Sequence, residues 1–359
     1  MNTLSRERDG SVKIAVGVLG ATGAVGQKFI KLLEDHPWFE VTEVAASERS
    51  AGKPYQDVVA WKQTTPIPEG IRRLEVRPCA PGLKCRIVFS GLDAAVAGPV
   101  EESFAQAGYV VLSNSRNHRL DEDVPLVIPE VNPDHMGLLP IQRQNRNARG
   151  CIVTNSNCST MFLAMALAPL HKAVGVEKVV VTTMQAISGA GYPGVASLDI
   201  LGNVIPHIGG EEEKMEIETR KILGRFNGRS VDLADFAVSA QCNRVPVEDG
   251  HTESVSVKLA RPVAAADVVT LLRDFSGPPQ SLKLPSAPER PIIVMDENDR
   301  PQPRFDVNRA HGMATLVGRV RSCAVLDFKF TVLGHNTIRG AAGASILNAE
   351  FLKSQGLMD

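Results

Sequence analysis

No apolar run in the 359-residue chain reaches the roughly 18 residues that a membrane-spanning helix needs. The longest candidate, around Met161 to Leu170, is short and carries Pro169. The first ten residues, MNTLSRERDG, are polar and charged; they lack the apolar centre of a signal peptide and read as a loose tail. Net charge is −1, so no excess of either sign points to a nucleic acid or an anionic membrane as partner. The six cysteines, at positions 79, 85, 151, 158, 242 and 323, form no CxxC pair and no metal-ligand spacing. No metal is expected, and thiols used this way read as reduced, in a cytoplasmic protein. Internal repeats and low-complexity segments are absent as well. What is left, 43% hydrophobic and 22% charged, is a globular composition long enough for two domains of ordinary size.

The stretch that organises the rest is Ser156-Asn157-Cys158-Ser159-Thr160. It follows Cys151-Ile152-Val153, which reads as a strand end, and precedes Met161 to Leu167, which reads as a buried helix. Cys158 then falls in the first helical turn, where unpaired N–H groups and the helix dipole favour a thiolate. A thiolate is the nucleophilic form of cysteine. The alternative is a small buried cysteine packed like alanine.

Ahead of it, Lys13 to Leu19 is apolar in the manner of a strand buried on both faces. Gly20-Ala21-Thr22-Gly23-Ala24-Val25-Gly26 follows, then Val25, Phe29, Ile30, Leu32 and Leu33 at helical spacing. Strand, glycine turn and helix together make a phosphate site, with helix N–H donors and close backbone approach. The spacing is G-x-x-G-x-x-G rather than G-x-G-x-x-G, and a tight turn without ligand is the alternative. The next strand, Val41 to Ala46, ends in Ser47-Glu48-Arg49-Ser50. Two serines and an arginine suit the 2′-phosphate of NADP, whereas Glu48, if turned to the ribose, would favour NAD. Strands at Arg86–Phe89 and Tyr109–Leu112 bracket a helix marked by Val96, Val100 and Phe104. This alternation predicts a doubly wound parallel sheet. Its loop 113–119, with Arg116 and Arg119, either holds an anion or is a solvated basic loop. Residues 139–150 read as an exposed connection.

Beyond Cys158, Val179–Met184 is a β-branched strand that leads into Gln185-Ala186-Ile187-Ser188-Gly189-Ala190-Gly191-Tyr192-Pro193-Gly194, a loop read as lining a ligand. The segment Gly210-Glu211-Glu212-Glu213-Lys214 opens a helix whose charges, taken alone, are a solvated face. Asp249-Gly250 signals a hairpin that brings Arg244 opposite His251. His251 starts a strand with Val255, Val257 and Leu259 on its face, either as a core histidine or as a base beside a carboxylate-binding arginine. Leu326, Phe328, Phe330 and Val332 alternate with polar residues. Strands here without intervening helices predict an antiparallel or mixed sheet. The proline-rich stretch 278–303 reads as a surface excursion. Ile338, Ala341, Ala342, Ile346, Leu347 and Phe351 mark a final helix.

Taken together, GATGAVG at 20–26, SNCST at 156–160, QAISGAGYPG at 185–194, GEEEKMEIET at 210–219 and NRVPVEDGH at 243–251 resemble the aspartate-semialdehyde dehydrogenase family, in its archaeal and fungal branch. The match runs in order from about Lys13 to Glu350. The resemblance implies an α/β protein: a Rossmann-like, doubly wound parallel sheet in residues 1–155, and an α+β catalytic and oligomerisation domain with a mostly antiparallel or mixed sheet in 156–335. A helix in 336–359 returns to the first domain. It implies NADP-linked reductive dephosphorylation of L-aspartyl 4-phosphate to L-aspartate 4-semialdehyde, releasing inorganic phosphate. By this resemblance Cys158 is the acylated nucleophile, His251 the acid/base, and Gln185 a positioner of the thioester. Arg244 grips the substrate carboxylate, and Glu212 the amino group. Lys214, Asn157 and Arg119 hold phosphate. NADP is expected on Gly20, Thr22, Gly23, Ala24 and Val25, on Ser47, Arg49 and Ser50, on Ser90 and Leu92, and on Ser188, Gly189 and Asn336. A homodimer or homotetramer is implied.

A thiolate attacks an acyl phosphate, and the thioester so formed accepts hydride, with a histidine of near-neutral pKa moving the proton. N-acetyl-glutamyl-phosphate reductase and glyceraldehyde-phosphate dehydrogenase share that logic. An acetylated amine, however, has no charge for the EEEK segment to pair. A non-catalytic NADP-binding sensor leaves Cys158, Gln185, Arg244 and His251 unexplained as a set.

Overall fold

The computed structural model describes residues 13–358, and the tail expected over residues 1–10 lies outside them. The chain divides into two compact units: Met1–Pro125, Met136–Asn155 and Ser345–Asp359 form one, and Leu126–His135 with Ser156–Ala344 the other.

The first unit is built on six strands, β1 (Ile14–Leu19), β2 (Phe39–Ala46), β3 (Val76–Pro78), β4 (Ile87–Ser90), β5 (Val110–Ser113) and β6 (Cys151–Thr154). They pair in the order β3-β2-β1-β4-β5-β6, all parallel. A parallel sheet is covered on both faces, so its strands carry no polar face. Accordingly every residue of β4, β5 and β6 is buried. Helix α1 (Ala24–Leu33) buries Phe29, Ile30 and Leu33, with the Phe29 ring 5.1 Å from that of Phe89 on β4. Helix α2 (Ala94–Gln106) starts at Asp93, whose carboxylate accepts from the Ala95 N–H at 2.8 Å.

The connection expected over 139–150 is instead partly helical, as α3 (Leu138–Asn145). Its polar sequence misleads because Gln142 is buried and works as backbone. The side chain accepts from the Ile152 N–H at 2.7 Å and donates to the Ile152 carbonyl at 2.9 Å.

The second unit opens with α4 (Cys158–Ala173), buried from Ser159 to Leu170. A mixed sheet lies in the order β10-β7-β11-β14-β13-β12, from β7 (Val176–Gln185), β10 (Ala237–Arg244), β11 (His251–Leu259), β12 (Ile292–Met295), β13 (Thr315–Ser322) and β14 (Phe328–Gly334). A two-stranded ribbon, β8 (Arg225–Phe226) with β9 (Val231–Asp232), and helices α5 (Glu211–Ile222) and α6 (Ala265–Arg273) complete it. Phe162 of α4 packs against Gly334, where an added Cβ would lie 2.0 Å from the ring. Only glycine lets the helix settle that close.

Three expectations change here. Asp249-Gly250 does not close a hairpin: β10 runs parallel to β7 and β11 antiparallel to it, so β7 separates them. The stretch 278–303 is not only an excursion, because Ile292–Met295 inside it pairs with β13. Leu126–His135 belongs with the second unit, since Leu126 and Ile128 join its core and Glu130 forms a buried ion pair with Arg339 at 2.6 Å.

The final helix begins as one π-helical turn, Ile338–Ala342, and continues as α7 (Gly343–Ser354). From Ser345 onward it belongs to the first unit: Asn155 donates to Ser345 Oγ at 2.7 Å, and Glu350 meets His36 at 2.8 Å. Among the described residues no helix is long and apolar enough to cross a membrane, and no cluster of three acidic, histidine or cysteine residues is placed to hold a metal.

Candidate active site

In the second unit, Asn157 caps α4, its Oδ1 accepting from the N–H groups of Ser159 at 2.9 Å and Thr160 at 3.2 Å. Cys158 is therefore the first helical residue, half-buried at the positive end of the dipole. Its Sγ lies 3.2 Å from His251 Nε2. Gly340 presses on it from the π turn, where a Cβ would come within 2.9 Å of Cys158 Cβ.

His251 opens β11 with no exposure. Burial, then the nearby Arg244 and His335, push its pKa down to about 3. The near-neutral histidine expected from sequence is replaced by an imidazole that stays uncharged. Its other nitrogen, Nδ1, accepts the Ala186 N–H at 3.0 Å.

Gln185 and Arg244 face each other in register at the ends of β7 and β10, 1% and 6% exposed. Arg244 Nη1 donates to the Ala186 carbonyl at 2.8 Å, and Gln185 Nε2 to Thr183 Oγ1 at 3.3 Å. Burial lowers the Arg244 pKa, while the negative charges of Cys158 and Glu211 beside the guanidinium oppose that shift. Gly189 abuts Arg244 and His251, since a Cβ there would lie 3.0 Å from both Arg244 Nη1 and His251 Cε1.

The carboxylate at this site is Glu211, not Glu212. Glu211 accepts from Asn157 Nδ2 at 2.7 Å and from Lys214 Nζ at 3.2 Å. Glu212 instead accepts the Cys242 N–H at 2.9 Å, bonding to β10 backbone. Glu218, which lies inside the GEEEKMEIET motif but was given no role from it, takes the Asn157 N–H at 2.6 Å. The signal was in the helix spacing: Glu211, Lys214 and Glu218 fall at i, i+3 and i+7, on one face. Asn157, expected at phosphate, has both ends of its amide committed to the helix cap and to Glu211.

Ser188 and Asn336, expected at the nucleotide, bond each other at 2.8 Å, and Asn336 also accepts the Gly250 N–H at 2.8 Å. They fix the loop carrying Ala186 and the turn before His251.

In the first unit, the α1 N-terminus has no side-chain cap and no acidic residue in its first turn. Gly23 and Ala24 are exposed, with Thr22 and Val25 half-buried. Gly20 has φ +72°, and a Cβ on Gly26 would lie 2.2 Å from the Gly20 carbonyl oxygen. Such a turn, with open donors at its tip, fits a dinucleotide pyrophosphate. Ser47, Glu48 and Arg49 are exposed at the end of β2, with Ser50 half-buried, and Leu92 is half-buried after β4. Ser90, expected at the nucleotide, is wholly buried, and its hydroxyl donates to Glu101 Oε1 at 2.6 Å, as does that of Ser113 at 2.8 Å. Arg119 is buried, its Nη2 donating to the Asn114 carbonyl at 2.8 Å, and Arg116 is exposed.

The chain is similar to known proteins over nearly its whole length. The family profile "Semialdehyde dehydrogenase, NAD binding domain" matches residues 15–138, and "Semialdehyde dehydrogenase, dimerisation domain" matches 167–339. Aspartate-semialdehyde dehydrogenase of Schizosaccharomyces pombe is 53% identical over 96% of this chain and 99% of its own. That of Archaeoglobus fulgidus is 52% identical over 95% and 98%. The crystal structure of the Candida albicans enzyme with NADP superposes with a TM-score of 0.89 at 46% identity, covering 96% of this chain and 99% of that one. The chain belongs to the aspartate-semialdehyde dehydrogenase family, alongside its fungal and archaeal members.

Proposed function

We propose that this chain carries out the NADP-dependent reductive dephosphorylation of L-aspartyl 4-phosphate to L-aspartate 4-semialdehyde, through a thioester on Cys158. The product feeds lysine, methionine, threonine and isoleucine synthesis. The carrying observation is the 3.2 Å approach of Cys158 Sγ to His251 Nε2 at a helix N-terminus, with Arg244 and Glu211 alongside. The Cys158 thiolate attacks the acyl carbon and phosphate departs with the C–O electron pair. Arg244 binds the substrate carboxylate as a planar fork, and Glu211 its ammonium. Gln185 orients the thioester, and Lys214 holds phosphate; Arg119 is kept as an anion-binding candidate of the first unit. A free amino acid is favoured over an N-acetylated one because the Glu211 carboxylate can pair with an ammonium, whereas an acetylated amine brings no charge to it.

The nucleotide is assigned to the α1 N-terminus, from Gly20 to Val25, and to Leu92, with Ser47, Arg49 and Ser50 at the 2′-phosphate. The Candida albicans relative solved with NADP supports that assignment. When bound, it exchanges hydride with the thioester carbon. Gly189 leaves room beside His251 for the reacting group. The match to a dimerisation domain supports a homo-oligomer, which we assign as a dimer or tetramer.

Absorbance at the reduced-nicotinamide band tests the assignment. With aspartate semialdehyde, phosphate and NADP together, the signal rises; omission of any one abolishes steady turnover. Undiminished turnover without phosphate overturns the reading.

A further inference from the structure

We infer that Glu101 is a positioning residue for the nucleotide site: from inside the first unit its carboxylate holds the ends of β4 and β5, and through them the glycine turn that follows β1. Glu101 lies on α2, on the same buried stripe as Ala97, Phe104 and Ala105, and has no exposure. The side chain of its neighbour Glu102 is half-exposed. A carboxylate on the apolar face of a helix is costly unless donors satisfy it. Two hydroxyls do so: Oε1 accepts from Ser90 Oγ at 2.6 Å and from Ser113 Oγ at 2.8 Å. His118 Nε2 stands 3.9 Å from the other carboxylate oxygen.

Ser90 and Ser113 end β4 and β5 in register with each other, and Leu19 at the end of β1 is the partner of Ser90 on the other side. Between β1 and β4 the chain switches from one side of the sheet to the other, which is where a sheet of this kind takes its ligand. After Ser90, Gly91 is wedged against the glycine turn. Its N–H donates to the Leu19 carbonyl at 2.9 Å. A Cβ on Gly20 would lie 2.7 Å from the Gly91 carbonyl oxygen, and a Cβ on Gly91 3.1 Å from the Gly26 nitrogen. A shift of Ser90 therefore presses on the turn assigned to pyrophosphate. On the other strand, Ser113 Oγ accepts the Ser115 N–H at 3.0 Å, and the Asn114 N–H donates to the Ser90 carbonyl at 3.1 Å. One buried oxygen thus sets two strand ends, and the serine hydroxyls act on the nucleotide through main chain rather than by direct contact.

The inference rests on the assignment of NADP to the α1 N-terminus. Two substitutions separate the role of the acceptor oxygen from that of mere bulk. Glu101→Gln keeps an oxygen of the same reach for both hydroxyls, and Asp121, 2.9 Å from His118 Nδ1, remains as the carboxylate paired with that ring. Glu101→Ala leaves both hydroxyls without an acceptor in a dry setting, so the two strand ends lose their common anchor.

Steady-state kinetics of the full-length enzyme with aspartate semialdehyde and phosphate test this. Glu101→Ala should raise KM for NADP about tenfold with kcat within about threefold of the parent, whereas Glu101→Gln should stay within about threefold in both. Ser90→Ala combined with Ser113→Ala should match Glu101→Ala, and all three together should cost no more, because the groups act as one unit. An unchanged KM in Glu101→Ala, equal losses in Glu101→Ala and Glu101→Gln, or an additive loss in the triple variant overturns the inference. If Glu101→Ala does not fold, Ser90→Ala and Ser113→Ala singly carry the test: each should raise KM about threefold, and no rise in either overturns it. Amide hydrogen exchange without nucleotide gives an independent arm. The N–H groups of Gly91, Asn114 and Ser115 should lose protection in Glu101→Ala and keep it in Glu101→Gln. Protection retained in both, or lost in both, overturns the inference. A parent enzyme that binds no NADP would sink the nucleotide assignment, while exchange at those amides would still decide whether Glu101 holds the strand ends.

Discussion

The first unit prepares its binding surface from backbone, and the second prepares its site from buried side chains. At the end of β1 the exposed groups are glycine, alanine and threonine main chain, and nothing there has to hold a particular charge. In the second unit Gln185, Arg244, Glu211 and His251 are 1%, 6%, 6% and 0% exposed. A group in that setting takes the protonation state its neighbours impose, because uncompensated charge is costly out of water. Backbone binding tolerates sequence change; the buried site does not. Substitutions in the two units should therefore fail in different ways.

The sharpest contrast comes from the nucleophile. Cys158→Ala should lower turnover by about 10⁴-fold or more while leaving NADP affinity within about threefold, as steady-state kinetics and fluorescence titration would show. Loss of nucleotide binding in that variant would merge what the comparison separates. Next is the acidic helix. Glu211→Gln should cost about 10²-fold in kcat/KM for aspartate semialdehyde, because it removes a charge beside Lys214 and Asn157. Glu212→Gln should cost less than about threefold, since it touches only the Cys242 N–H. The reverse order would restore Glu212 as the residue that meets the substrate.

A change in the first unit should move preference rather than chemistry. Arg49→Glu is expected to shift kcat/KM by about tenfold from NADP toward NAD with little change in maximal rate. The smallest effect is on stability. Glu253 has no exposure, neither carboxylate oxygen has a hydrogen-bond partner, and burial raises its pKa well above the ordinary 4.5. The folded chain thus keeps a proton that the unfolded chain releases above about pH 4.5, so this group's contribution worsens as pH rises. Glu253→Gln should melt about 2–4 °C above the parent at pH 8, and the gap should shrink toward pH 5. A gap that does not change with pH would show that the carboxyl is ionised in both states.

Much of the architecture could be read from residue order. Apolar runs separated by helical patterns foretold the parallel sheet, and alternation at Phe328, Phe330 and Val332 the mixed one. What escaped was long-range. The Asp249-Gly250 pair looks like a local turn, yet β7 comes between its flanking strands, which no local signal discloses. Gln142 looks solvent-loving but replaces main-chain partners of Ile152. For the site, Cys158, His251, Gln185 and Arg244 were legible as a set from their motifs, and the second unit brings them together. Choosing Glu211 from three consecutive glutamates needed the helix phase set by Asn157. The protein partners of Ser90, Ser188 and Asn336 were not legible, because a motif shows that a polar residue is present, not what it bonds.

Intact-protein and peptide mass spectrometry after mixing enzyme with aspartate semialdehyde and NADP, phosphate withheld, addresses the central claim most directly. An aspartyl adduct should appear on the peptide containing Cys158 and disappear when phosphate is added. No adduct, or one on any of the other five cysteines, would contradict the account.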